Sequence, residues 1–175
     1  MFERQLQVLR DLFIPRAILE GLDDIIADEL YRSGYRTFFL DVDNTLLTYE
    51  QTRVSLQRHQ WVDMVRSMGF QVFLLSNNSD GRRIGKIGAQ LGTQGLYFSM
   101  KPFAFCVREL AADMGVDLKT SVFVGDKLLM DVVAGNWVGA YTIWVDPLDK
   151  KDSFLRTVQR DLELAFLKFL RRIPA

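Results

Sequence analysis

Asp41 and Asp43 are the residues whose types and spacing most clearly suggest chemistry, in the segment DVDNT. If a β-strand continues through them, its alternation places both carboxylates on the same side. Two adjacent carboxylates repel each other unless a cation lies between them, and oxygen ligands suit Mg²⁺. The pair therefore predicts a site for a hard cation. Taken alone, it is also compatible with a solvated acidic turn.

Three further polar groups follow apolar runs later in the chain. Ser76 and Asn77 come after QVFLL, where a hydroxyl and backbone amides can hold a phosphate ahead of a helix. Lys101 precedes a proline at a predicted loop–helix junction, where it can face a phosphoryl group. Asp126 follows VFVG and can join the metal site, and Asp131 comes shortly after it in GDKLLMD. Together these groups favour phosphate chemistry at a metal site.

The apolar runs that precede these groups have the length and residue types of buried strands. They cover residues 37–40, 71–75, 121–124 and 141–145, with a weaker candidate at 95–99. Helical patterns lie between them at 55–68, 102–115 and 128–138. Such alternation predicts an α/β fold, with a parallel sheet covered by helices on both faces. Ligands bind beyond the carboxyl ends of the strands in such sheets, which is where all the polar groups fall.

Composition excludes several classes of protein. The chain has 175 residues, one His, one Cys and 22 residues of each charge, so its formal net charge is zero. One Cys excludes an intrachain disulfide and a Cys-rich zinc site, and zero net charge gives no nucleic-acid signal. The cations nevertheless cluster after the second strand and at the C-terminus (Arg82, Arg83, Lys86, Arg171, Arg172). The first cluster is either a solvated helix face or an attractor of anionic substrates or lipid headgroups.

We expect residues 1–175 to form a single domain. Its parts are an N-terminal helical segment over 1–34, a catalytic core over 35–148 and an amphipathic C-terminal helix over 153–173. The predicted apolar face of that last helix consists of Phe154, Leu155, Val158, Leu162, Ala165, Phe166 and Phe169. This face either packs on the core or lies on an anionic membrane surface. No targeting signal is evident, so we expect a cytoplasmic protein, or a peripheral one on the inner membrane surface.

Four motifs carry a resemblance to a known family: FLDVDNTLL, LLSNN, the Lys of MKPF, and VFVGDKLLMD. The sequence resembles the haloacid-dehalogenase-like (HAD) phosphohydrolase superfamily. Its finer details, over nearly the whole chain, resemble the YqeG family, a capless group of subclass IIIA phosphatases. The resemblance implies a three-layer Rossmann-like fold. Its parallel sheet would have about five strands in the order 5-4-1-2-3, and no cap domain.

The resemblance also implies roles for individual residues. Asp41 would be the nucleophile that forms an aspartyl-phosphate, and Asp43 the general acid and then the general base. Lys101 would neutralise the nucleophile and the transferring group. The Mg²⁺ ligands would be Asp41, the backbone carbonyl of Asp43 and Asp126. The phosphate contacts would be Thr45, Ser76 and Asn77, while Asp131 would either orient Lys101 or hold a metal-bound water.

The implied function is therefore a Mg²⁺-dependent phosphatase acting on a phosphate monoester. The intervals between Thr45, Ser76 and Lys101 leave no room for a cap, so the site should be open to a bulky substrate. Candidates are a lipid phosphate, a phosphoprotein and a small phosphometabolite. Phosphatidylglycerophosphate is one specific possibility, because organellar phosphatidylglycerophosphatases resemble this family and the C-terminal helix could contact a membrane. The alternative is a non-catalytic or regulatory phosphate-binding module that acts through a macromolecular partner.

Overall fold

The computed structural model describes residues 2–149 and 154–172. Its centre is a parallel sheet of six strands in the order β1-β6-β5-β2-β3-β4. The strands are β1 (Ala17–Leu19), β2 (Thr37–Asp41), β3 (Gln71–Leu75), β4 (Gln94–Leu96), β5 (Ser121–Gly125) and β6 (Tyr141–Val145). The α/β class and the relative order of the five predicted strands are confirmed.

The sixth strand is the difference from the sequence-based prediction. β1 extends the sheet at one edge, where Ala17 pairs in parallel with Ile143 of β6. It has only three residues and occurs in a segment that was predicted to be helical. So short a strand carries almost no periodicity of its own, and its pairing with β6 is what defines it.

The helices are α1 (Phe2–Phe13), α2 (Ala27–Arg32), α3 (Leu56–Ser67), α4 (Gly81–Leu91), α5 (Phe105–Asp113), α6 (Val133–Trp137) and α7 (Phe154–Arg172). A π-helical turn (Leu128–Val132) precedes α6, and short 3₁₀ turns cover Leu22–Asp24 and Leu118–Thr120. The predicted helices at 55–68, 102–115 and 128–138 therefore correspond to α3, α5 and the π-helical turn with α6. Pro102 lies in a turn ahead of α5 rather than in the first turn of that helix.

Successive residues of the central strands face opposite layers of helices. Phe38 lies in a core with residues of α3 and α4, and its ring contacts that of Trp61 edge-on at 5.3 Å between centroids. Phe39 points the other way and packs with Phe73 and with Val107 of α5. Both faces are therefore apolar, as expected for a sheet between two helical layers. These layers hold the strand ends in fixed positions.

In the described ranges 2–149 and 154–172, no cap covers the carboxyl ends of the strands. The interval from Thr45 to Ser76 contains α3 and β3, and the interval from Ser76 to Lys101 contains α4 and β4. The structure describes every residue of both intervals. The capless architecture expected from the sequence spacing is thus confirmed.

The helix α7 packs on the core with a face that shares Phe166 with the predicted one but not Leu162 or Phe169. It buries Glu163, Leu167 and Leu170, whereas Leu162 and Phe169 of the predicted apolar face are more than 60% exposed. The buried carboxylate of Glu163 is satisfied there, because it accepts hydrogen bonds from the N–H groups of Leu128 (3.3 Å) and Leu129 (3.4 Å). The side chains of residues 154–157, and residues 153 and 173 themselves, lie outside the described residues. No described helix is both long and apolar enough to cross a membrane.

Candidate active site

The candidate catalytic residues lie at the carboxyl ends of three adjacent strands. Asp41 is the last residue of β2, Ser76 follows β3, and Asp126 follows β5. Because β2 lies between β5 and β3, these residues meet at one edge of the sheet. A cavity of about 240 Å³ opens there. It is lined by Asp41, Asp43, Tyr49, Asn77, Asn78, Lys101, Lys127, Met130 and Asp131.

A tight turn, rather than a continued strand, brings Asp43 to this cavity. β2 ends at Asp41, and the N–H of Leu46 donates to the carbonyl of Val42 (3.1 Å). The N–H of Asn44 donates to the carbonyl of Leu47 (2.8 Å), and Asn44 has a φ of 67°. Asn enters this left-handed region more readily than most residues, so the sequence suits the turn. The two carboxylates line one cavity as predicted, although the strand itself ends at Asp41.

Lys101 joins two of the carboxylates. Its ammonium donates to Asp41 Oδ1 (2.5 Å), to Asp131 Oδ1 (2.6 Å) and to the carbonyl of Leu75 (3.2 Å). Burial acts to lower the pKa of Lys101, but the carboxylates of Asp131 and Asp41 outweigh it and raise that pKa above its ordinary value. Lys101 is therefore a fixed cation beside the predicted nucleophile.

Asn77 holds the backbone of Lys101 in place. Its side-chain N–H donates to the carbonyl of Lys101 (2.8 Å), and its Oδ1 accepts from the N–H of Lys101 (2.8 Å). The same oxygen accepts from the hydroxyl of Ser99 (2.9 Å). The side chain of Asn77 is thus engaged in bracing the loop, a role that the sequence did not predict. Its contact with phosphate stays a prediction.

Asp131 uses both of its carboxylate oxygens within the protein. Oδ1 accepts from Lys101, and Oδ2 accepts from the backbone N–H of Lys127 (3.0 Å). Gly125 makes this arrangement possible, because a Cβ at that position would overlap the carboxyl group of Asp131. Of the two predicted roles for Asp131, the contacts favour orienting Lys101.

The cluster of Asp41, Asp126 and Asp131 carboxylates suits a divalent cation. One oxygen from each of Asp41, Asp126 and Asp131 lies within 4.8 Å of the others. Asp41 Oδ2 and Asp126 Oδ1 are buried and have no hydrogen-bond partner among the residues that the structure describes. Leaving such atoms unpaired is costly, and an oxygen-liganded cation between them removes the cost. The residues present therefore fit the predicted metal site.

The pKa values of two carboxyls also indicate a cation site in this pocket. Burial raises the pKa of Asp41 to about 6, although Lys101 opposes the shift. Burial, followed by the charges of Asp41 and Asp131, raises the pKa of Asp126 to about 8. Carboxyls whose pKa is raised by burial and by like charges are typical of functional sites. Here they mark a pocket with an excess of negative charge that a cation would balance.

Asp43 has two partners in the pocket wall. The hydroxyl of Ser76 donates to Asp43 Oδ2 (3.2 Å), and Arg83 Nη1 lies 2.7 Å from Asp43 Oδ1. Arg83 also donates to the carbonyls of Thr48 (3.3 Å) and Gln51 (3.2 Å). The sequence placed Arg83 in a cationic cluster without distinguishing it from its neighbours. The structure separates them, because Arg82 and Lys86 are exposed.

Lys127 is a second cation that sequence reasoning missed. Its ammonium donates to the hydroxyl of Tyr49 (2.9 Å), and both residues line the cavity. Burial opposes the shift, but the carboxylates of Asp41 and Asp126 raise the pKa of Lys127 above its ordinary value. The only sequence signal was its place directly after Asp126.

The predicted phosphate contacts Thr45 and Ser76 are both buried beside the pocket. Within the described part of the chain, Thr45 Oγ1 has no hydrogen-bond partner. Ser76 Oγ accepts from the backbone N–H of Asn78 (3.1 Å) as well as donating to Asp43. Neither hydroxyl is tested as a phosphate ligand, so these roles stay predictions.

Comparisons with known proteins bear on this arrangement. A family model described as HAD-hydrolase-like matches residues 99–148, which contain Lys101, Asp126 and Asp131. The probable phosphatase YqeG of Bacillus subtilis is 27% identical over 165 residues, covering 94% of this chain and 95% of that protein. These matches confirm the resemblance to HAD-like hydrolases that the motifs predicted. As the motifs predicted, this chain is an enzyme of the phosphatase class, a phosphoric monoester hydrolase.

Two further similarities are informative. Phosphatidylglycerophosphate phosphatase 1, chloroplastic/mitochondrial, of Arabidopsis thaliana is 27% identical over 173 residues. The match covers 91% of this HAD-like chain but only 48% of the plant protein. A putative subfamily III A HAD hydrolase of Legionella pneumophila has the same fold, with a TM-score of 0.50 and 15% identity. That match covers 86% of this chain and 95% of the Legionella protein.

Proposed function

We propose that this phosphatase hydrolyses a phosphate monoester with Mg²⁺, through an aspartyl-phosphate intermediate on Asp41. The observation that carries the proposal is the divided environment of the Asp41 carboxylate. One oxygen is held by Lys101, and the other is unpaired in a buried acidic pocket beside Asp126. A carboxylate fixed between a permanent cation and a cation site is oriented for attack, and its negative charge is balanced as an anionic substrate approaches.

The residues would share the reaction in two steps. In the first, an oxygen of Asp41 forms a bond to phosphorus, the bond to the leaving oxygen breaks, and Asp43 donates a proton to that oxygen. In the second, Asp43 takes a proton from water, whose oxygen attacks phosphorus and releases Asp41 together with inorganic phosphate. Lys101 balances charge throughout, because phosphoryl transfer depends mainly on positioning and charge neutralisation.

Asp41 and Asp126 would hold the metal through their unpaired oxygens, with the backbone carbonyl of Asp43 as the further protein ligand. When bound, Mg²⁺ supplies positive charge that offsets the acidic cluster and the phosphoryl oxygens. Hard oxygen ligands and a site that leaves room for water are consistent with Mg²⁺.

For the substrate, we propose a lipid phosphate of the phosphatidylglycerophosphate type. The open, capless pocket supports this choice because it admits a phosphate attached to a large body. The plant relative named as a phosphatidylglycerophosphate phosphatase supports it too. The exposed Leu162 and Phe169 of α7, close in sequence to Arg171 and Arg172, are consistent with peripheral membrane contact. Phosphoproteins and small phosphometabolites are the competing substrates.

The test compares phosphate release from dispersed phosphatidylglycerophosphate, from an aryl phosphate and from a phosphopeptide, each with and without Mg²⁺. We expect Mg²⁺-dependent release, fastest from the lipid, and loss of nearly all activity in Asp41→Asn. Faster release from the phosphopeptide would reject the lipid substrate. Equal activity in the wild type and Asp41→Asn would reject the catalytic assignment and favour a regulatory phosphate-binding module.

A further inference from the structure

The loop that carries Lys101 also carries a group of exposed apolar side chains, and we call residues 97–105 the aromatic loop. Five of its side chains are between 37% and 56% exposed: Tyr97, Phe98, Met100, Phe103 and Phe105. Single exposed apolar residues are common on soluble proteins, but several together mark an interaction surface. None of the five belongs to the lining of the catalytic cavity.

The backbone of the aromatic loop is braced. The N–H of Phe98 donates to the carbonyl of Asn78 (2.9 Å), and the N–H of Ser99 donates to the carbonyl of Ser76 (2.9 Å). Ser99 and Lys101 are buried, and they alternate along the chain with the exposed Phe98 and Met100. The loop therefore presents its apolar side chains from a backbone that is tied to the catalytic site.

Phe98 and Met100 have φ values of 50° and 54°. This left-handed region is costly for residues with large side chains, and such strain is concentrated at functional sites. A sequence selected only for stability would place Gly or Asn here, or bury these side chains. The strained positions support an interaction role for the exposed side chains.

Exposed cations adjoin the apolar group. A Cβ placed on Gly81 would lie 3.0 Å from the ring of Tyr97, so this ring packs against the start of α4. The next residue, Arg82, is exposed, and so is Lys86 one turn later. Aromatic side chains beside Arg and Lys suit the interface of a bilayer with anionic headgroups. The rings enter the headgroup boundary there, and the cations stay with the lipid charges.

We propose that the aromatic loop, together with Arg82 and Lys86, docks the protein on the surface of a bilayer that contains anionic lipids. This surface is separate from α7. Because Lys101 belongs to the same braced loop, docking brings the open pocket to the level of the lipid headgroups. The reason for docking rests on the proposed function, because a lipid substrate lies in the bilayer. Docking itself requires no catalysis.

The test is flotation of the protein with vesicles of phosphatidylglycerol and phosphatidylcholine in equal parts. The double variant Phe98→Asn with Phe103→Ser removes two rings, and Asn is used at position 98 because it accepts a positive φ. The matched control is Trp137→Ser, which removes a ring that is 49% exposed just before β6, at the opposite ends of the strands. Circular dichroism and thermal unfolding establish that both variants fold.

We expect the double variant to bind vesicles about tenfold more weakly, from the apolar area lost, and the control to bind as the wild type does. Arg82→Glu with Lys86→Glu should weaken binding to the mixed vesicles much more than to vesicles of phosphatidylcholine alone. Equal flotation of the wild type and the double variant would overturn the proposal. So would no flotation at all, or a self-association that the double variant abolishes without any vesicle binding.

Aryl phosphate hydrolysis by the wild type separates this proposal from the proposed function. Vesicle binding that depends on the aromatic loop, in a protein that hydrolyses no phosphate monoester, would support docking and reject the phosphatase assignment. Hydrolysis without loop-dependent vesicle binding would support the phosphatase assignment and reject docking.

Discussion

Binding of Mg²⁺ to this enzyme should release a proton at neutral pH, because Asp126 holds one in the metal-free protein. Burial and the charges of Asp41 and Asp131 raise the pKa of Asp126 to about 8. A group with that pKa is protonated in about nine molecules out of ten at pH 7. Metal ligands bind as carboxylates, so binding should release about one proton per Mg²⁺ at pH 7.

Protons and Mg²⁺ compete for the carboxylate of Asp126, so the affinity for Mg²⁺ should depend on pH. Between pH 6 and pH 8, the Mg²⁺ affinity should rise about tenfold per pH unit and then level off. Below pH 6, protonation of Asp41, whose pKa is raised to about 6, should steepen the loss. Because both folded-state pKa values lie above the ordinary value of 3.8, the metal-free fold loses stability as pH rises from about 4 to about 8. Added Mg²⁺ should therefore raise Tm more at pH 8 than at pH 6.

Isothermal titration calorimetry in buffers of different ionisation enthalpy measures the number of protons released. Asp63→Asn is the control, because Asp63 is exposed on α3 and should leave the release unchanged. Asp126→Asn should bind Mg²⁺ far more weakly. Proton release near zero at pH 7, with an affinity that does not change between pH 6 and pH 8, would refute the reasoning.

Three substitutions test the supporting contacts. Asn77→Ala removes three hydrogen bonds and should lower the free energy of unfolding by about 2–3 kcal/mol in urea titration, with a fall in kcat as Lys101 shifts. Unchanged kcat would show that Lys101 does not depend on Asn77. Arg83→Gln breaks the ion pair with Asp43 and should lower kcat for an aryl phosphate about tenfold with little change in KM. Arg83→Lys should be intermediate, and Lys119→Gln, exposed ahead of β5, should match the wild type. Gly125→Ala forces a Cβ into Asp131 and should lower stability by about 1–3 kcal/mol, together with activity, whereas a normal Tm would contradict the close packing.

Much of the fold could be predicted from sequence because the central strands are short, buried on both faces and separated by helical patterns. β2, β3, β5 and β6 have the β-branched and aromatic residues of such strands, so their parallel arrangement followed. β1 could not be predicted, because three residues at a sheet edge are defined by their pairing with β6.

The orientation of α7 could not be predicted from the sequence either. Its apolar residues surround much of the helix, so periodicity alone could not choose the buried face. The buried face also contains a polar contact, in which Glu163 accepts hydrogen bonds from the backbone of the π-helical turn. An amphipathic pattern predicts that one face of a helix is buried. It does not predict which polar side chain will find hydrogen-bond partners on that buried face.

The candidate site was predictable where a motif fixes both residue type and strand end. Asp41, Lys101 and Asp131 therefore meet as the motifs imply, within hydrogen-bonding distance. Arg83 and Lys127 were missed because a cation in a helix or loop has the same sequence signature whether it faces solvent or a pocket. Their positions depend on long-range contacts, with Asp43 and Tyr49, that no local spacing encodes.

The most direct test of the central claim is to look for the phosphoryl group on Asp41 itself. The enzyme is mixed with Mg²⁺ and an aryl phosphate, quenched in acid, digested and analysed by mass spectrometry. We predict one phosphoryl group on the peptide that contains Asp41, more of it in Asp43→Asn because the base for hydrolysis is missing, and none in Asp41→Asn. Rapid hydrolysis with no phosphorylated Asp41 in the wild type or in Asp43→Asn would contradict the proposed mechanism.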